Sequence, residues 1–114
     1  MGTPLQTVAE TASYLAWAKS VMTEDERDAV VTLLATNPTA GVVIVGTGGV
    51  RKLRFAIGGR GKSGGVRIIY YFHDERLPVY VLAGFAKNEK ATLSAAECNA
   101  LRRLVDRLVS GLER

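Results

Sequence analysis

Six cations lie between residues 41 and 73, namely Arg51, Lys52, Arg54, Arg60, Lys62 and Arg67, with no acid among them, a net of +6. Residues 1–40 hold two cations against five acids, a net of −3, so the overall charge of +4 hides a strong asymmetry. Concentrated, uncompensated positive charge attracts a polyanion and repels itself in the folded chain. One chemistry that runs on cations and phenols is phosphodiester cleavage by the 2′-OH of RNA itself. It needs a base for the hydroxyl, positive charge for the developing phosphorane and a proton for the leaving 5′-oxygen. Neighbouring cations favour the neutral amine of a lysine, which can then accept that proton.

Other chemistries are poorly served. His73 is the one histidine and Cys98 the one cysteine, so no metal-ligand spacing exists and neither a metal nor a cofactor is expected. No Ser-His-acid or Cys-His set can be assembled, and the basic stretch has no paired carboxylates for glycoside work. Gly58-Gly59-Arg60-Gly61-Lys62-Ser63-Gly64 lacks the spacing of a P-loop and leads into a strand rather than a helix. It reads as a hairpin loop whose Arg60 and Lys62 are placed to grip a phosphate backbone.

These groups must be held by an α+β framework. Residues 6–10 are a candidate short edge strand, followed by helical patterns at about residues 11–21 and from Thr23 onward. Thr23-Glu24-Asp25-Glu26 is a capping box whose acids also suit the positive end of the helix dipole. Ala29, Val30, Leu33 and Leu34 form the apolar stripe of the second helix, and Asn37-Pro38 ends it. The short link predicts an antiparallel helical hairpin. Its Tyr14, Trp17 and Val21 either join the core or leave a patch for a partner.

Strands are expected at residues 50–57, 65–73 and 78–87, rich in β-branched and aromatic residues, and residues 41–49 are extended or looping. A second capping box at Ser94-Ala95-Ala96-Glu97 opens a final helix with Leu101, Leu104, Val105, Leu108 and Leu112 on one side. The reading is a single domain over residues 1–114, an antiparallel β-sheet with an N-terminal helical hairpin and a C-terminal helix. No apolar run reaches membrane-spanning length, and the first residues lack a basic segment followed by an apolar one. A soluble, cytoplasmic protein is expected.

Alternation assigns the faces. Leu53, Phe55 and Ile57 share one face, and Lys52 and Arg54 the other. In the next strand Val66, Ile68, Tyr70 and Phe72 point one way, and Arg67, Ile69, Tyr71 and His73 the other. Setting the apolar faces together gathers Lys52, Arg54, Arg67 and Tyr71 on one side of adjacent strands. His73, beside a turn, reads as a surface residue.

Three segments in order, Gly46-Thr47-Gly48-Gly49-Val50-Arg51-Lys52-Leu53-Arg54, then Gly61-Lys62-Ser63-Gly64-Gly65-Val66-Arg67-Ile68-Ile69-Tyr70-Tyr71-Phe72, then Ala86-Lys87-Asn88-Glu89-Lys90, resemble the RelE/HigB branch of the RelE/ParE toxin superfamily. The resemblance implies a RelE-like fold and a toxin of a type II toxin–antitoxin pair, an endoribonuclease that enters the ribosomal A site and cuts mRNA there. By position Lys52, Arg54, Arg67 and Lys87 are the implied catalytic residues. Arg51, Arg60, Lys62, Tyr71 and Lys90 are the candidates for gripping RNA. Some relatives carry an arginine at the position of Asn88 and a tyrosine near Ser94. This chain has neither, which leaves the acid and base unassigned and makes Tyr71 the candidate for stacking on a base. The resemblance further implies a cognate antitoxin with a DNA-binding helix-turn-helix, operator DNA contacted only through that antitoxin, and no membrane partner. The alternative within the superfamily is a non-catalytic ParE-like toxin that binds DNA gyrase.

Overall fold

The computed structural model describes residues 5–58, 65–86 and 92–113. Its elements run β1 (Val8–Glu10), α1 (Ala12–Val21), α2 (Glu24–Thr36), β2 (Val42–Val43), β3 (Arg51–Phe55), β4 (Val66–Tyr71), β5 (Val79–Ala86) and α3 (Ala95–Ser110), with a 3₁₀ turn at Gly111–Glu113. The helix starts follow local chemistry. Thr23 and Ser94 each cap their helix in a complete capping box with Glu26 and Glu97, and the Thr11 hydroxyl accepts from the Tyr14 N–H. Asn37, the residue before Pro38, closes α2.

The five strands form one sheet in the order β1-β5-β4-β3-β2. It is mixed rather than wholly antiparallel, because β1 runs parallel to β5 while every other pair is antiparallel. The α1–α2 hairpin carries the chain across one face between β1 and the meander, so β1 enters the far edge in the direction of β5. Between β4 and β5 the register slips: Ile69 opposes Ala83 but Tyr70 opposes Val81. Leu82 is the extra residue, and the bulge lets the consecutive residues Leu82 and Ala83 both pack in the cluster under α3, while Val81 lies in the other.

Two apolar clusters sandwich the sheet. Under α1 and α2 lie Tyr14, Ala18, Val30, Leu34, Leu53, Ile68, Tyr70 and Val81. Under α3 lie Val50, Ile69, Tyr71, Leu82, Phe85 and Val105, with Leu101, Leu104 and Leu108 against them. Burying one such Leu or Ile side chain contributes roughly 1.5–3 kcal/mol. The hairpin's aromatic residues join the first cluster: Tyr14 is fully buried, and Trp17 and Val21 pack against it. Ala29, expected in the α2 stripe, is exposed; Val30, Leu33 and Leu34 do the packing. Gly84 is required beneath Trp17, since a Cβ there would overlap the indole ring. No helix among the described residues is long and apolar enough to cross a membrane.

Candidate active site

The β3–β4 ladder sets the site. Arg54 is directly opposed to Arg67, and Lys52 to Ile69. Directly opposed residues share a face with Cβ atoms about 4.5–5.5 Å apart, and Lys52 lies two residues from Arg54 on that same face. Arg54 is exposed, and Lys52 and Arg67 are half-buried. Among the described residues none of the three takes part in an ion pair, so their charge is offered to solvent rather than consumed internally. The face is the one α3 covers, but the helix sits over Val50, Ile69 and Tyr71 and leaves the Arg54–Arg67 end open. Phe85, the partner of Arg67 on β5, belongs to the apolar wall of a cavity of about 560 Å³ between α3 and the sheet. The open cations therefore adjoin an apolar cleft.

Two of the candidates for gripping RNA are not presented there. Arg51 lies on the opposite face of β3, where its Nη1 donates to the Gly41 carbonyl at 2.7 Å and the Thr39 carbonyl at 3.4 Å. Tyr71 shares the cationic face but is only 4% exposed, because α3 packs over that end of the sheet. Its ring is not presented for stacking on a base. Its hydroxyl lies 3.0 Å from His73 Nδ1, and burial, then Asp74 and Asp106, push its pKa upward. His73 is half-buried rather than a free surface group, 3.5 Å from Asp74 and 3.4 Å from Arg76. The Arg76 guanidinium and backbone N–H hold the Asp74 carboxyl down to about 2. Arg60, Lys62, Lys87 and Lys90 lie outside the described residues.

Sequence reasoning missed the groups that fix the approach to β3. Thr47 is completely buried; its hydroxyl donates to the Ile44 carbonyl at 2.7 Å and accepts from the Val50 N–H at 3.0 Å. The glycines around it, Gly46, Gly48 and Gly49, all have positive φ, which is the signal available in the Gly-Thr-Gly-Gly string. The Tyr70 hydroxyl accepts from the Gly41 N–H at 2.7 Å. At the other end of β3, Glu26 Oε2 accepts from the Gly58 N–H, while its Oε1 completes the α2 capping box. One carboxylate thus joins the helical hairpin to the point where β3 ends. Among the described residues no three of His, Cys, Asp and Glu gather into a set able to hold a metal ion.

This constellation suits an extended polyanion: a pair of opposed guanidinium groups and an amine on rigid strands, beside an apolar cleft. A family model described as the RelE toxin of the RelE/RelB toxin–antitoxin system matches residues 8–113 of the chain.

Proposed function

The chain belongs to the RelE toxin family, and from that premise we propose that it is a ribosome-dependent endoribonuclease that blocks translation by cutting mRNA. As a toxin of a toxin–antitoxin system it pairs with an antitoxin. The observation that carries the catalytic reading is the opposed Arg54–Arg67 pair with Lys52 beside it on the same face.

In this reading the scissile phosphate lies between the two guanidinium groups. The 2′-hydroxyl loses its proton to a base and its oxygen attacks phosphorus. The bond from phosphorus to the 5′-oxygen breaks, and that oxygen takes up a proton. The products are a 2′,3′-cyclic phosphate and a free 5′-hydroxyl. An arginine does not give up its proton in a protein, so Arg54 and Arg67 stabilise charge on the phosphorane and the proton transfers fall to Lys52 and Lys87. Lysine is a poor base for a mobile RNA. Holding the reacting groups in near-attack geometry supplies on the order of 7–11 kcal/mol, and the ribosome is the body that orders the mRNA. Hence free RNA is a poor substrate.

Primer extension on mRNA from cells induced to make the chain tests this. Codon-phased cuts within translated frames are expected, and an Arg67→Ala variant should leave the messages whole. A second reading, a ParE-like toxin that binds gyrase without catalysis, gains from the burial of Tyr71, which removes the tyrosine expected to stack on RNA. Intact messages with blocked replication would favour it.

A further inference from the structure

We propose that the cleft between α3 and the sheet receives a nucleobase of the cut strand, the one next to the scissile phosphate, and that Arg107 on its rim favours guanine and uracil. This rests on the ribonuclease reading and adds a contact for the base to those the cations make with the phosphate. The cleft, about 560 Å³, falls within the roughly 300–1,000 Å³ of small-ligand sites. Ile69, Phe85, Leu101 and Leu104 give it apolar walls. Ala83 of β5 and Ala100 of α3 also line it, so each element offers a single methyl group where a larger side chain would fill the space.

Register ties the cleft to the cations. Arg67 is directly opposed to Arg54 on β3 and to Phe85 on β5, so the three side chains stand in one row across three strands, on one face. Adjacent strands lie about 4.7–4.9 Å apart, so the wall of the cleft begins one strand spacing from Arg67. A phosphate held by the two guanidinium groups brings its ribose and base to that wall. Unpaired RNA is commonly recognised in this way, with a base splayed out of the stack and buried against the protein. Tyr71 is sealed beneath α3 on the same face, so the base does not find its ring.

Charge selects the occupant. Among the described residues two charged side chains line the cleft, Glu97 and Arg107. Glu97 is drawn back to the start of α3, where its Oε1 accepts from the Ser94 N–H at 2.8 Å. Arg107 is exposed and takes part in no ion pair among the described residues. The two stand about 15 Å apart along the helix, so the carboxylate does not neutralise the guanidinium. A guanidinium donates hydrogen bonds and accepts none. It therefore fits the carbonyl-bearing edges of guanine and uracil better than the amino-bearing edges of adenine and cytosine. A free phosphate satisfies the Arg54–Arg67 pair and leaves the cleft empty, whereas a nucleotide fills both.

Two measurements test the proposal. In the first, guanosine 3′-monophosphate and inorganic phosphate are titrated separately into the purified chain, and the methyl NMR signals of Leu101 and Leu104 are followed. The nucleotide should move them and phosphate should not. Ala100→Leu, a change at an exposed helical position, should weaken nucleotide binding roughly tenfold or more and leave phosphate binding as it was. Ala83→Leu fills the cleft from the sheet side and serves if the first variant does not fold. In the second, the codons cut on translating ribosomes are mapped for wild type and Arg107→Ala. Wild type should favour guanine or uracil beside the cut, and the variant should lose that bias. Methyl signals unmoved by the nucleotide overturn the proposal, as does a bias that survives in Arg107→Ala. Signals that move with the antitoxin and not with the nucleotide also overturn it, by assigning the cleft to that partner. Uncut messages with wild type would sink the ribonuclease reading instead, and the nucleotide titration would still decide whether the cleft takes a base.

Discussion

Arg54 and Arg67 face each other across the β3–β4 ladder, two like charges on adjacent strands with no acid paired to either among the described residues. Like charges directly opposed in a sheet destabilise it by a few tenths of a kcal/mol up to about 1. Such an arrangement is expected where the pair awaits an anion. Arg67→Ala should therefore leave stability within about 0.5 kcal/mol of wild type, or raise it slightly. The same change should lower mRNA cutting about 10²–10³-fold, the usual cost of removing one preorganised stabiliser of transition-state charge. Urea denaturation and a cutting assay on one preparation check both halves. A large loss of stability would show that Arg67 serves the fold instead.

The contact between Gly84 and Trp17 gives a prediction about packing. Gly84→Ala places a methyl group inside the indole ring and should destabilise the protein by about 1–3 kcal/mol. Trp17→Leu should cost stability alone but open room for that methyl. The double variant should then be more stable than the sum of the two single effects implies. Additive effects would mean that the ring moves aside freely.

Much of this architecture was legible in residue patterns, and the misses have physical causes. The capping boxes at Thr23 and Ser94 locate two helix starts because they depend only on neighbours in sequence. Alternation placed Lys52, Arg54 and Arg67 on one face, as the register has it. Alternation says nothing about what lies over a face. Tyr71 is buried because α3 crosses its end of the sheet, a tertiary fact absent from the local pattern. Charge alone groups Arg51 with the other cations, but its position in β3, one residue from Lys52, sends it to the other side, to Gly41. The parallel pairing of β1 follows from the route of the helical hairpin, which no short motif encodes.

Tyr14 supplies a pH prediction. Burial, reinforced by Glu10, pushes its hydroxyl up to about 12 from the ordinary 10. The folded state therefore favours the protonated phenol. Its contribution is fully present below pH 10 and is lost as pH rises toward 12. Because the hydroxyl is buried without a hydrogen-bond partner among the described residues, Tyr14→Phe should cost little at pH 7 or stabilise slightly. The variant should lose stability less steeply than wild type between pH 10 and 12, as read by urea midpoints. Equal slopes would contradict the assignment.

Thr47 gives the fourth prediction. Thr47→Val keeps the shape but leaves the Val50 N–H and the Ile44 carbonyl without the hydroxyl between them. The expected cost is about 1–3 kcal/mol, with faster amide exchange at Val50. Unchanged exchange there would mean that the turn holds without the hydroxyl.

The central claim is that Lys52, Arg54 and Arg67 cut mRNA only when a ribosome orders it. The direct measurement is cleavage of one labelled mRNA by the purified chain, free and on reconstituted translating ribosomes, with Lys52→Ala and Arg54→Ala alongside. Expected are cuts at the A-site codon on ribosomes, 2′,3′-cyclic phosphate ends, little cutting of free RNA, and loss of activity in both variants. Equal cutting of free RNA, or an uncut message on ribosomes, would contradict it.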